Sequence, residues 1–164
     1  MSINTKDYIE NYIKIQDKNT NVIPLIFNES QMKLYNVIKK MHQERKPIRI
    51  IILKARQMGF STETTSIIFK NVVTKHNYKA GIIAHQEDST ANLFNMCKRM
   101  FEYLPNEIKP ERKKSNAKEL LFNNDNGTGL DSKIKCMTAG GKGVGRSDTF
   151  SALHISELAF WPRR

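Results

Sequence analysis

Lys54, Arg56, Gly59, Ser61 and Thr62 fall close together, and that set of side chains suits the binding of a phosphate chain. A glycine turn between a buried strand and a helix lets backbone N–H groups and the positive helix end converge on phosphate oxygens. Aligned to the pattern GxxxxGK[ST], Gly59 takes the second glycine and Ser61 the hydroxyl that ligates magnesium, while Phe60 stands where lysine is expected. Lys54 instead opens the loop, from where a long side chain can fold back over the phosphates. Arg56, beside Gln57, carries a guanidinium able to reach a γ-phosphate and stabilise transition-state charge. Each feature has a plainer alternative, since Gly-x-Ser after a strand also makes an ordinary turn and Arg56 also suits a solvated turn position.

The other half of such a site is an apolar strand ending in an acid, and residues 152–157 have that form. Ser156 stands where a magnesium-organising Asp usually lies, and Glu157 where the group that polarises an attacking water lies. Taken alone, a carboxylate at a strand end is equally a solvated cap.

The elements that must hold these residues follow from local pattern. Residues 29–41 place Met32, Tyr35, Val37, Ile38 and Met41 on a helical stripe, with Asn28 as its cap. Pro47 interrupts the chain, and the β-branched run 48–53 reads as a buried parallel strand. A helix over 62–75 follows the glycine turn. A strand over 80–84, a polar loop over 85–90 and a helix over 91–103 repeat the grammar, which indicates an α/β fold. Residues 109–118 form a basic linker, and 120–137 fit a β-hairpin or meander. Residues 140–146 are a glycine-rich loop before the last strand. Residues 8–26 carry no sustained period.

Composition sets outer limits. Lys and Arg exceed Asp and Glu by 27 to 16, a net charge of +11 that favours polyanionic partners. The 39% hydrophobic content of 164 residues suffices for one core. No apolar stretch approaches the roughly 18 residues of a membrane span, and the first fifteen residues have no uninterrupted apolar segment for export. Cys97 and Cys136 have no partner at metal spacing and read as buried free thiols. His85 and His154 read as structural.

Taken together, four stretches resemble the amino-terminal ATPase of the large terminase subunit of tailed bacteriophages, the motor that packages DNA into proheads. They are FNESQ at 27–31, like the family's adenine-recognising motif, LKARQMGFST at 53–62, like its variant Walker A, GIIAH at 81–85, and GRSDTFSALHISELAFW at 145–161, like its Walker B region. The resemblance implies a RecA-like, ASCE-type P-loop domain with a mainly parallel central sheet flanked by helices, incomplete at the C-terminus. Residues 1–46 would be a segment bearing the adenine motif, and 47–164 the ATPase core from Walker A to Walker B. ATP and Mg2+ are the implied cofactors. Gln31 is placed on the adenine, and Lys54, Arg56, Gln57, Met58, Gly59, Phe60, Ser61 and Thr62 on the phosphates. Arg56 becomes a candidate arginine finger, Ser61 a magnesium ligand, and Glu157 the catalytic carboxylate, with Ser156 and Glu157 reaching the metal through water.

The same resemblance implies double-stranded DNA, the portal and the terminase small subunit as partners, a homo-oligomeric ring in the full-length protein, and the bacterial host cytoplasm as location. Three departures stand against it: Phe60 displaces lysine, Ser156 brings no charge where Asp is usual, and the coupling motif and nuclease domain are absent. In this fold the coupling strand lies between the Walker A and Walker B strands, so a chain stopping at Arg164 is expected to leave strand edges unpaired, as a fragment or split gene product would. The alternatives are another DNA-dependent P-loop ATPase such as a helicase-like translocase, or a basic nucleic-acid-binding fragment without catalysis.

Overall fold

The computed structural model describes residues 4–116, 118–123, 126, 128–141 and 149–161. Asn4 opens the first helix, α1 (Thr5–Tyr12), by accepting the Asp7 N–H at 3.0 Å, and Tyr8, Ile9 and Ile13 turn into the core. A two-stranded antiparallel hairpin follows, β1 (Lys14–Gln16) with β2 (Val22–Pro24). Its turn is tied by the Asp17 carboxylate, which accepts the N–H groups of Asn19 and Asn21, each at 2.8 Å. The sequence reading left this region without structure because the helix is short and the hairpin strands have three residues each, too few to establish a period.

Asn28 caps the second helix, α2 (Glu29–Gln43), through a reciprocal capping box with Gln31. Beyond a stretch without regular structure come α3 (Phe60–Thr74), β3 (Lys79–Ala84), α4 (Glu87–Glu102), β4 (Lys114–Ser115), β5 (Glu119–Phe122), β6 (Ser132–Thr138) and β7 (Ala152–Ile155). The main sheet has the order β4-β5-β6-β3-β7. Its centre is parallel, with Ile82 of β3 opposite Cys136 of β6 on one side and His154 of β7 on the other. The strands β4, β5 and β6 form the antiparallel meander expected from the sequence, so the sheet as a whole is mixed.

Helices α3 and α4 touch each other and both pack on β3 and β6. Phe69 and Val72 from α3, and Phe94, Cys97 and Met100 from α4, meet Ile82, Leu120, Phe122, Ile134 and Cys136 in one core. Side chains alternate across a strand, so Ile83 and Met137, each one residue on from a core position, join a smaller cluster with Ala139, Phe150 and Trp161. Cys97 and Cys136 are buried free thiols, as read from sequence.

One expected element is absent. The run 48–53 is not a buried parallel strand: it has no regular structure, Ile51 is 95% exposed and Leu53 wholly exposed. An apolar β-branched run reports that a segment can be buried in a sheet, but a strand also needs a partner strand alongside it, and residues 48–53 pair with none of the described strands. Both edges of β3 are taken, by β6 and β7, and β7 ends the sheet with no strand beyond it among the described residues. Element boundaries also move, and helix α3 starts at Phe60 rather than residue 62. Helix α4 starts at Glu87 rather than residue 91, because the acids Glu87 and Asp88 suit a first turn. Strand β7 stops at Ile155, so Ser156 and Glu157 lie just past its end.

Candidate nucleotide-binding site

The phosphate-binding candidate is the entry to α3. Gly59 is its N-cap at φ +78, a left-handed conformation that favours glycine, and no side chain caps the helix. The first helical bond is Glu63 N–H to Gly59 C=O at 3.0 Å, so the N–H groups of Phe60, Ser61 and Thr62 have no acceptor among the described residues. Three unmet amides at the start of a 15-residue helix present partial positive charge to an anion. The chemistry of this donor set fits a phosphate group.

The turn is braced from α2. Gln31, almost fully buried, donates from Nε2 to the Gly59 carbonyl at 2.9 Å, and its Oε1 accepts the Asn28 N–H at 2.9 Å. Asn28 Nδ2 reaches the Met58 carbonyl at 3.5 Å, and Lys18 from the β1–β2 turn reaches Gln57 Oε1 at 3.5 Å. A methyl group added at Gly59 would stand 2.7 Å from Gln31 Nε2. The FNESQ stretch is therefore a mechanical support of the loop, with one amide hydrogen of Gln31 left for any further contact.

Lys54 and Arg56 are exposed, and Ser61 and Thr62 half-buried. His154 on β7 is held neutral, its pKa pushed down to about 4 chiefly by burial and secondarily by the Lys54 charge. Its Nδ1 faces the Thr65 hydroxyl of α3 at 3.4 Å. The loop's lysine thus lies within electrostatic reach of the strand that leads to Glu157, and His154 is structural as read.

Glu157 sits at φ 55, in the left-handed region, at the turn between β7 and a 3-10 turn, Leu158–Phe160. Its Oε2 lies 2.6 Å from His85 Nδ1, and the ring of His85 packs 5.8 Å from that of Phe160. Ser156 is buried, its N–H donating to the Ile83 carbonyl at 2.8 Å and its carbonyl accepting from the Trp161 indole at 3.2 Å. No hydrogen bond or ion pair joins Glu157 to Lys54, Arg56 or Ser61 among the described residues. The two halves of the candidate site are each formed but not joined by direct contact. Sequence reasoning read His85 as structural, and its place beside Glu157 follows only from the parallel pairing of β3 with β7.

Glu63 was not singled out. It is fully buried on α3, neither carboxylate oxygen has a hydrogen-bond partner among the described residues, and burial pushes its pKa up to about 8. The basic linker has firmer anchorage than a solvated loop: Lys109 donates to the Glu102 carbonyl at 2.9 Å, and Lys109 and Arg112 both lie over the Phe101 ring. Lys142 and Arg146 fall outside the described residues. No described helix is long and apolar enough to cross a membrane.

The strand order, with helices α3 and α4 packed on β3 and β6, defines an α/β fold with a mixed sheet. Among solved structures, the chain is similar to the HK97 bacteriophage large terminase, with a TM-score of 0.63 and 17% identity over 84% of this chain. The match spans 27% of that terminase's length. No protein-family model and no curated protein matches the chain.

Proposed function

We propose that this chain is the ATP-binding and ATP-hydrolysing portion of a phage terminase large subunit, which powers packaging of double-stranded DNA into the prohead. The observation that carries the reading is the uncapped start of α3, where Gly59 at positive φ is braced by Gln31 and leaves three amides free for phosphate. The fold shared with a large terminase supports the assignment to that motor class.

In this reading Lys54 and the 55–62 loop hold the triphosphate, the amides of Phe60, Ser61 and Thr62 neutralising oxygen charge as Lys54 folds over it. The Ser61 hydroxyl, on the first turn of α3, would hold Mg2+, and Ser156 and Glu157 would be the residues to reach it through water. Bound Mg2+ would supply charge neutralisation at the phosphates. Glu157 orients the attacking water and takes its proton, and Arg56 stabilises the charge that develops on the γ-phosphate. The net charge of +11 suits DNA as the moved substrate. Portal, small subunit and a ring of copies are the remaining partners.

The exposed 48–53 run has the composition of a sheet strand, and the outer edge of β7 has no strand beside it among the described residues. Glu157→Gln tests the reading: it should leave ATP affinity intact and lower turnover at least a hundredfold, within the usual ~10²–10⁴ of a general base. Turnover at the parental rate would remove Glu157 from the mechanism. ATP binding without turnover in the parent would favour the non-catalytic alternative.

A further inference from the structure

Among the described residues, the ion-pair contact of Glu157 is with His85, at the end of the adjacent parallel strand. His85 follows β3 directly, Glu157 follows β7 after one residue, and the register sets Ile83 opposite Ile155, so the two side chains leave the same end of the sheet. Their approach is 2.6 Å, from Nδ1 to Oε2. Two unprotonated acceptors at that distance would repel, so Nδ1 carries hydrogen. That nitrogen is shielded from solvent and has no well-angled hydrogen bond to any described residue, Glu157 included, so the contact is a close polar approach and not an aligned hydrogen bond.

The surroundings restrict both side chains. Phe160 packs on the His85 ring at 5.8 Å and limits its rotation, while Ser156 N–H to Ile83 C=O at 2.8 Å fixes the backbone just before Glu157. The left-handed backbone at Glu157 narrows the directions its side chain can take. Only Oε2 is held. The Glu157 side chain is 44% exposed against 20% for His85, and Oε1 has no hydrogen bond or ion pair among the described residues.

Resting on the ATPase reading given above, we propose that His85 is the positioning residue for Glu157. It grips one carboxylate oxygen and leaves the other for the attacking water. A free carboxylate on a rotatable side chain samples many orientations, and holding one oxygen removes most of them before the reaction begins. His85 touches neither the phosphates nor the water in this arrangement, so its loss should act on turnover and not on nucleotide affinity.

The test uses the full chain with His85→Ala, His85→Asn, Glu157→Gln and the double variant His85→Ala/Glu157→Gln. Steady-state ATP hydrolysis should show kcat at least tenfold lower in His85→Ala with KM for ATP unchanged. It should recover in part in His85→Asn, whose amide nitrogen reaches nearly to the place of Nδ1. In the Glu157→Gln background, His85→Ala should cause no further loss. Equal kcat in parent and His85→Ala, or an undiminished effect of His85→Ala without the carboxylate, would overturn the proposal. Thermal melts of the same four proteins give a readout independent of turnover: the two single-variant shifts should be non-additive in the double variant. If the parent does not hydrolyse ATP, the ATPase reading falls, and with it this role for His85. Additive melting shifts would remove the pair itself, whatever the turnover.

Discussion

Replacing Glu63 by Gln should stabilise the protein, and by an amount that depends on pH in a defined sense. The carboxyl is fully buried without a partner, and its pKa rises from an ordinary 4.5 to about 8 by desolvation. The unfolded chain ionises near 4.5 while the folded protein keeps the proton until about pH 8, so stability is full below 4.5 and falls as pH rises to 8. Each pH unit across that window costs about 1.36 kcal/mol, which makes the loss roughly 3 kcal/mol at pH 7 and roughly 4 kcal/mol at pH 8. Gln has the same shape and no titration, so Glu63→Gln should match the parent at pH 4 and exceed it by those amounts above. With a urea m-value of about 1–3 kcal/mol per molar, the unfolding midpoint at pH 7 should rise by about 1–3 M. Urea titrations of both proteins at pH 4, 6 and 8 decide it. A constant gap across the three pH values would show that Glu63 ionises freely in the folded state, and the reasoning from its burial would fail.

Gly59→Ala should weaken ATP binding at least tenfold by calorimetry and lower stability by about 1–2 kcal/mol, since Gly59 sits at φ +78 and the new methyl would meet Gln31. Gln31→Ala should cost about 1–3 kcal/mol in chemical unfolding, because two buried hydrogen bonds that hold the α2 cap and the Gly59 turn are lost together. His154 should titrate near pH 4 by NMR, and stability should decline as pH falls from 6.5 through 4, where the unfolded chain takes up a proton that the folded one refuses. Cys97 and Cys136 should resist alkylation in the native protein and both react on unfolding: the two thiols are hydrogen-bonded and buried, which holds Cys97 well above its ordinary pKa.

The helices and strands whose periods run long enough were legible in the sequence: α2 with its Asn28 cap, α3 after the glycine, β3 and the β5–β6 meander. The glycine turn before α3 was legible because its signal is local, a glycine at positive φ followed by a helix with no side-chain cap. What failed was non-local. The 48–53 run carries the composition of a central strand, but composition does not say whether a partner edge is within reach. His85 looked like an isolated strand-end histidine, and only the pairing of β3 with β7 sets it against Glu157. Gln31 could be matched to an adenine motif by type, yet its bonds to Asn28 and Gly59 depend on where α2 docks. Glu63 lay inside a helix whose buried face was drawn from apolar residues alone, a criterion that passes over a carboxylate.

The central claim is that the entry to α3 binds a nucleotide. Isothermal titration of Mg-ATP into the parent and into Lys54→Ala tests it most directly, since Lys54 is exposed and its loss should leave the fold intact. One ATP per chain is predicted for the parent, with affinity at least tenfold weaker in Lys54→Ala. Equal affinity in the two proteins, or no binding by the parent, would contradict the account.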